Sequence, residues 1–144
     1  MIQRYGRAGI TMSEEANVEV NHNFLKYAMY CNIAIMLLII SQGITGLGRL
    51  GYTFDGMNLD SSHKYTAHLG LLITIGMLVL VIMSKHEGKL KGMAIGMFMM
   101  WFVQFGIGEM LGSMQWLGMV HAPLAMMMFA HGAMMGQKFN QLSD

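Results

Sequence analysis

The sequence has few of the residues that stabilise a water-soluble domain or charge its surface. It contains one cysteine, Cys31, which excludes an intramolecular disulfide and a cysteine-rich metal site. A single proline in 144 residues excludes proline-rich linkers. Charged residues make up 12% of the chain and the net charge is +1, so there is no basic surface for binding nucleic acid. Hydrophobic residues make up 54%, and this composition predicts a membrane protein.

Four hydrophobic segments are each long enough to cross a bilayer core, which needs roughly 20 apolar residues per helix. They cover about residues 28–48, 64–84, 92–112 and 116–136. The flanking residues 1–27 and 137–144 are predicted as a polar N-terminal tail and a short C-terminal tail. The short connection between the last two spans forces them to pack side by side in opposite directions. The sequence therefore predicts an all-α polytopic membrane protein, an antiparallel bundle of four transmembrane helices.

Basic residues divide unevenly between the two ends of such a bundle. Arg49 and Lys64 fall at one end, and seven basic residues fall at the other: Arg4, Arg7, Lys26, Lys85, Lys89, Lys91 and Lys138. Loops rich in lysine and arginine stay in the cytoplasm. We therefore predict a multi-pass protein of the cell membrane with both termini cytoplasmic.

Methionine and glycine are abundant, with nineteen and eighteen residues. Gly88, Gly92 and Gly96 recur every four residues, a pattern that lets membrane helices pack closely, either within the bundle or against another subunit or copy. Thioether sulfur is a soft ligand for copper, but the methionines are spread all around the helices, which favours flexible apolar packing. Lipid and other membrane subunits are the expected partners.

Ionisable residues inside the predicted spans indicate a functional site, because their burial in hydrocarbon is costly. With a helical rise of about 1.5 Å per residue, His68 and His121 lie roughly 6–8 Å below the outer surface. Glu109, three residues before the end of the third span, belongs to the same layer, and His63 lies at its rim. We expect these residues to form a site near the outer face.

Two kinds of cofactor suit this layer. Two neutral imidazoles from different helices can ligate a haem iron on both axial sides, which predicts haem b bound by His121 and either His68 or His63. The alternative is copper or zinc held by His68, His121 and Glu109, or no cofactor, with these side chains hydrogen-bonded to one another or to water. His63 and His68 are about 140° apart on a regular helix, so both can serve one site only if that helix begins irregularly.

His131 lies about 15 Å from His121 along the same span, toward the cytoplasmic side. No other histidine is predicted at that level. A hydrogen bond to a neighbouring helix is the expected role, and ligation at a second site is the alternative.

Two helix pairs in the sequence are related. Gln42-x-x-x-Gly46 and Gln104-x-x-x-Gly108 each precede a span with histidine at its outer end, "HLGLL" from His68 and "HAPLA" from His121. Over about residues 36–132 this arrangement resembles one four-helix half of the haem A synthase family, in which such histidines face a haem.

The resemblance also bears on the choice of ligand. The family has an acid three residues before the first histidine and a basic residue after it, which matches Asp60, His63 and Lys64 and implies His63 as the ligand. Asp60 stands where glutamate is usual. Family members have eight spans and many have a cysteine pair in the first outer loop, whereas this chain has four spans and no such pair. The resemblance therefore implies haem binding without implying oxidation of a haem methyl group.

Three functions remain open from the sequence. The first is a b-type haem protein that transfers electrons through the membrane bundle. The second is a small non-catalytic accessory subunit of a larger membrane oxidase or copper membrane monooxygenase. The third is a transporter or proton path through Glu109 and the histidines, for which four spans would need an oligomer or a partner. We expect no catalytic activity of the chain's own.

Overall fold

The computed structural model describes residues 19–56, 58–86 and 88–142, apart from the side chains of residues 49 and 50. Four long helices make up most of it: α1 His22–Gly46, α2 Leu59–Met83, α3 Lys89–Met110 and α4 Gly118–Gln141. Short 3-10 turns follow α1 at Leu47–Leu50 and precede α4 at Gln115–Leu117. The described residues contain no strand, which confirms the predicted all-α class. Residues 1–18 and 143–144 of the predicted tails, including Arg4 and Arg7, lie outside the described residues.

The first two helices begin before the predicted spans because asparagines cap them. The Asn21 side chain accepts a hydrogen bond from the Phe24 backbone N–H at 3.2 Å, and Asn58 accepts one from Ser61 at 3.0 Å. As a result, α1 starts six residues and α2 five residues before the predicted positions 28 and 64. Similarly, α4 continues to Gln141, five residues beyond the predicted end at 136. Polar turns therefore extend the helices beyond their hydrophobic segments.

The helices pack in a ring in which α1 contacts α2, α2 contacts α3, α3 contacts α4, and α4 contacts α1. Consecutive helices run in opposite directions, so α2 and α4 both start at one end and face each other across the bundle axis. We call this end the histidine end; it includes the connections from α1 to α2 and from α3 to α4. The opposite end, with the start of α1, the α2–α3 connection and the end of α4, is the terminal end.

The apolar core occupies the middle and the terminal end of the bundle. Its members are Leu25, Ala28, Ile35, Ile39, Met77, Val81, Leu90, Ala94, Met97, Trp101, Met128, Met135 and Phe139. Toward the histidine end, the buried side chains of the described bundle are few, namely Thr45, Leu59 and Leu117. The core therefore holds the helices together below the layer in which the histidines lie.

Trp101 joins α2 and α3 just below the histidine end. Its indole Nε1 donates a hydrogen bond to the Ala67 carbonyl at 3.1 Å, and the ring lies directly against Gly70. The residue is 3% exposed, so the ring is enclosed between the two helices. The contact joins α2 to α3 at Ala67, one helical turn after His63 and closer to the apolar core.

The four helices are long and apolar enough to cross a membrane. Many large apolar side chains on their outer faces are exposed in the isolated chain, including Leu37, Leu72, Phe102 and Met126. This distribution is typical of helices whose outer surface contacts lipid. Pro123 lies in the sixth position of α4, and the helix continues through it.

Candidate functional site

Two histidines meet across the axis at the histidine end. His63 is the fifth residue of α2 and His121 the fourth residue of α4, so both lie in the first turns of diagonally opposed helices. Their ring centroids are 6.3 Å apart, with the ring planes at 52°. Both side chains are half-buried. The two imidazoles therefore face each other in the part of the bundle where few other side chains are buried.

Glutamines on the neighbouring helices hold the backbone at both histidines. Gln42 Nε2 on α1 donates to the His63 carbonyl at 2.7 Å, and Gln104 Nε2 on α3 donates to the His121 carbonyl at 2.9 Å. Gln42 also donates to the Thr66 hydroxyl. Each glutamine thus ties the start of one histidine-bearing helix to the helix before it in the chain.

Glycines make room for both rings. A Cβ built at Gly46 would lie 3.5 Å from His63 Cε1, and one at Gly108 would lie 3.4 Å from His121 Cε1. The glycine comes one helical turn after the glutamine in each case, so it faces the same neighbouring helix. The repeated Gln-x-x-x-Gly sequence therefore corresponds to a repeated contact, in which glutamine bonds the histidine backbone and glycine accepts its ring.

The two halves differ in the group that meets the histidine side chain. His63 Nδ1 lies 3.2 Å from Thr45 Oγ1, and the Thr45 hydroxyl in turn lies 2.8 Å from the Ser41 carbonyl. Thr45 comes three residues after Gln42, and the matching residue after Gln104 is Ile107, which has no hydroxyl. The His63 ring is therefore held by a hydrogen bond to a threonine hydroxyl, and the second helix pair has no hydroxyl at the matching position.

His68 faces away from this pair. It lies at the tenth position of α2, is exposed, and packs edge-on against Phe105 with ring centroids 4.9 Å apart. Its Nδ1 donates to the Lys64 carbonyl at 2.8 Å. Because α2 is a regular helix from Leu59 onward, His63 and His68 point in different directions, as their five-residue separation requires. The ring brought to His121 is that of His63.

Glu109, the remaining ligand predicted for this layer, is the second-last residue of α3 and is exposed. Within the described part of the chain, no group of three histidine, cysteine or acidic side chains is arranged to hold a metal ion. The proposed copper or zinc set of His68, His121 and Glu109 is thus not assembled in this conformation.

His131 is bound to the backbone of the neighbouring helix. Its Nε2 donates to the Met93 carbonyl on α3 at 2.8 Å, and its ring lies beside Gly96, where a Cβ would be 3.4 Å from Cε1. His131 therefore makes the expected hydrogen bond to a neighbouring helix. The contact explains why a glycine is suited to position 96.

Comparison with known proteins adds no family assignment to these contacts. No family model matches the chain, and no curated protein or solved structure matches it either. A function must therefore be inferred from the chain's own residues, above all from His63, His121 and the side chains that hold them.

Proposed function

We propose that this chain is an integral membrane protein that binds one b-type haem between His63 and His121 and transfers electrons through it. The observation that carries the proposal is the 6.3 Å separation of the two imidazole centroids, contributed by opposite helices of one bundle. The proposal retains His121 from the sequence prediction and selects His63 as its partner.

The separation of the rings would allow His63 and His121 to bind the same metal ion. A metal–imidazole bond is about 2 Å long, and a ring centroid lies about 1.2 Å from its nitrogen, so the two centroids of a bis-histidine site are a little over 6 Å apart. The observed value is 6.3 Å. Each imidazole can rotate about its metal–nitrogen axis, so the 52° angle between the planes is acceptable. The donor set suits haem iron, for which neutral histidine is a common ligand.

The surroundings of the pair also suit a flat macrocycle. Gly46 and Gly108 let each imidazole lie close to the backbone of the neighbouring helix, and few side chains toward this end of the described bundle are buried. A bound haem would supply a one-electron redox centre. His63 and His121 would be its ligands, and Gln42 and Gln104 would anchor the helices that carry them. The apolar core would keep water from reaching the haem from the terminal end.

The distribution of basic residues supports an orientation for the bundle. Lysines gather at the terminal end: Lys26 is the fifth residue of α1, Lys85 lies in the α2–α3 connection, Lys89 begins α3, and Lys138 lies in the last turn of α4. Lys64 lies at the histidine end, where it pairs with Asp60 at 3.1 Å. By the positive-inside rule, we propose that the terminal end of the described bundle faces the cytoplasm, which would place His63 and His121 near the outer face of the cell membrane.

The resemblance to one half of the haem A synthase family supports the same ligand. Its acid–histidine–base pattern coincides with Asp60, His63 and Lys64, and His63 is the histidine that contacts His121. We carry over haem binding alone, because the described residues contain four candidate spans, half the number in that family. An activity that modifies the haem is not part of the proposal.

An accessory subunit role is the second candidate, and it is compatible with the first. Several helix glycines have open space beside them, among them Gly43, Gly76, Gly92 and Gly106. Small residues on exposed faces let a helix of another membrane subunit approach closely. Stable co-purification at fixed stoichiometry with a larger membrane oxidase or monooxygenase, without bound haem, would favour this role over the first.

Haem titration of the detergent-purified protein tests the proposal. We expect a Soret band typical of a low-spin, six-coordinate haem, and its loss or conversion to a five-coordinate spectrum in His63→Ala and His121→Ala. His68→Ala is the matched control, because it removes a histidine of the same helix that faces outward, and it should keep the spectrum. The proposal fails if the wild-type protein takes up no haem, or if His68→Ala abolishes the spectrum while His63→Ala retains it. Metal analysis of the same preparation tests the copper or zinc alternative.

A further inference from the structure

Thr45 lies at the centre of a hydrogen-bond arrangement beside His63. It is 5% exposed, on the face of α1 that packs against the start of α2. Its hydroxyl oxygen lies 2.8 Å from the Ser41 carbonyl, 3.5 Å from the Gln42 carbonyl and 3.2 Å from His63 Nδ1. Three polar atoms thus compete for one hydroxyl group.

The chemistry of these atoms assigns the donors. Thr45 has a single hydroxyl proton, and a carbonyl oxygen can only accept. The shorter contact to Ser41 takes that proton, as is usual for threonine inside a helix. The lone pairs of the Thr45 oxygen are then left to accept from His63, so the proton of the neutral imidazole lies on Nδ1. A neutral ring protonated at Nδ1 carries its lone pair on Nε2.

We propose that Thr45 is a positioning residue that sets the tautomer of His63 and thereby makes Nε2 its ligand atom. The proposal deepens the haem site and rests on it. Histidines that ligate metals generally donate their other ring N–H to an acceptor, which fixes the tautomer and the orientation of the ring. Here that acceptor is the Thr45 oxygen. Because Ile107 stands at the matching position of the other half, the two ligands are positioned by different means.

Two substitutions isolate the hydroxyl. Thr45→Val keeps the shape of the side chain and removes the acceptor, whereas Thr45→Ser restores a hydroxyl. Thr74→Val is the matched control, because Thr74 is also a buried helix threonine whose hydroxyl donates to the residue four before it, Gly70, at 2.7 Å. It lies in α2 well below the histidines.

The first measurement needs no cofactor. In the haem-free protein labelled with ¹⁵N at histidine, at a pH where His63 is neutral, we expect His63 to be protonated at Nδ1. Thr45→Val should shift it toward the Nε2–H tautomer or a mixture, while Thr45→Ser and Thr74→Val should keep the wild-type tautomer. An Nε2–H tautomer of His63 in the wild-type protein overturns the proposal, even if no variant can be purified.

The second measurement is the haem affinity of the same proteins. Loss of a hydrogen-bond partner of a metal-ligating histidine typically lowers affinity about 10- to 100-fold, and we expect this of Thr45→Val but not of Thr45→Ser or Thr74→Val. Equal affinity in Thr45→Val and wild type overturns the positioning role. If the wild-type protein shows the Nδ1–H tautomer but binds no haem, the haem proposal fails and Thr45 sets the tautomer for another ligand.

Discussion

Gly70 on α2 is the glycine whose replacement should destabilise the bundle most clearly. A Cβ at this position would overlap carbons Cζ2, Cη2 and Cε2 of the Trp101 indole. The indole is a rigid ring, 3% exposed, and its N–H is bonded to the Ala67 carbonyl at 3.1 Å. In Gly70→Ala, therefore, the added methyl group must push the ring from its position or separate α2 from α3.

The size of the effect follows from three contributions. Overpacking a filled site costs typically about 1–3 kcal/mol. Displacing the indole leaves its N–H without the Ala67 carbonyl, which adds about 1–3 kcal/mol if the group stays buried. Alanine is favoured over glycine within a helix by about 0.5–1 kcal/mol, which acts in the opposite direction. We expect Gly70→Ala to lower the free energy of unfolding by about 2–4 kcal/mol.

Reversible unfolding in mixed detergent micelles, titrated with a denaturing detergent and followed by circular dichroism, measures this change. Gly76→Ala is the control on the same helix, because a Cβ there would meet no atom within 4 Å. It should be neutral or stabilising by up to about 1 kcal/mol. In a Trp101→Phe background, whose smaller ring leaves more room, the cost of Gly70→Ala should shrink. Equal stability of Gly70→Ala and Gly76→Ala would refute the steric reasoning, as would an unchanged cost of Gly70→Ala in the Trp101→Phe background.

Two further predictions concern polar groups of the terminal half. His131→Phe removes the donor to the Met93 carbonyl but keeps a ring beside Gly96. We therefore expect the free energy of unfolding to fall by about 1 kcal/mol and the haem spectrum to be unchanged. Loss of the spectrum would assign His131 to the haem site. Asn32 is 2% exposed; its Nδ2 donates to the Gly132 carbonyl at 3.1 Å, whereas its Oδ1 accepts no hydrogen bond within the described structure, so the loss of one bond in a leucine variant is offset by the removal of one unsatisfied oxygen. Asn32→Leu should therefore change the free energy of unfolding by less than about 1 kcal/mol in the same detergent titration. Asn32→Asp buries a charge and should lower the free energy of unfolding several times more. The reverse order of the two variants would contradict this account.

The fold could be predicted from the sequence because hydrophobic segments of membrane length leave few alternatives. Four such segments with short connections predict four antiparallel helices, and the structure has them. The short connections after α2 and α3 make those helices neighbours, whereas the contact between α1 and α4 is seen in the structure. The helix ends could not be read from hydrophobicity, because polar turns such as Asn58–Lys64 are helical without being apolar. Capping by Asn21 and Asn58 decides those ends instead.

The candidate site is only partly predictable from the sequence, because hydrophobicity does not show where the helices begin. His121 and a partner on α2 follow from the level of the histidines, but the choice between His63 and His68 depends on where α2 begins. The sequence alone does not single out Thr45, since a threonine in an apolar helix is ordinary and its role depends on its contact with His63. The spacing of Gln42 and Gln104 repeats in the sequence, but their bonds to the two histidine carbonyls are seen only in the structure.

The start of α2 determines which histidine meets His121. If the helix began at residue 64, where the apolar segment begins, His68 would be its fifth residue and level with His121. It begins at Leu59, so the fifth residue is His63, and His68 lies about 7.5 Å further along and about 140° around the helix. Asn58 is a strong helix cap that precedes a polar first turn. In α2, then, the helix begins at its asparagine cap and not at its apolar segment. The cap is the better guide to which side chains of the first turns face the bundle axis.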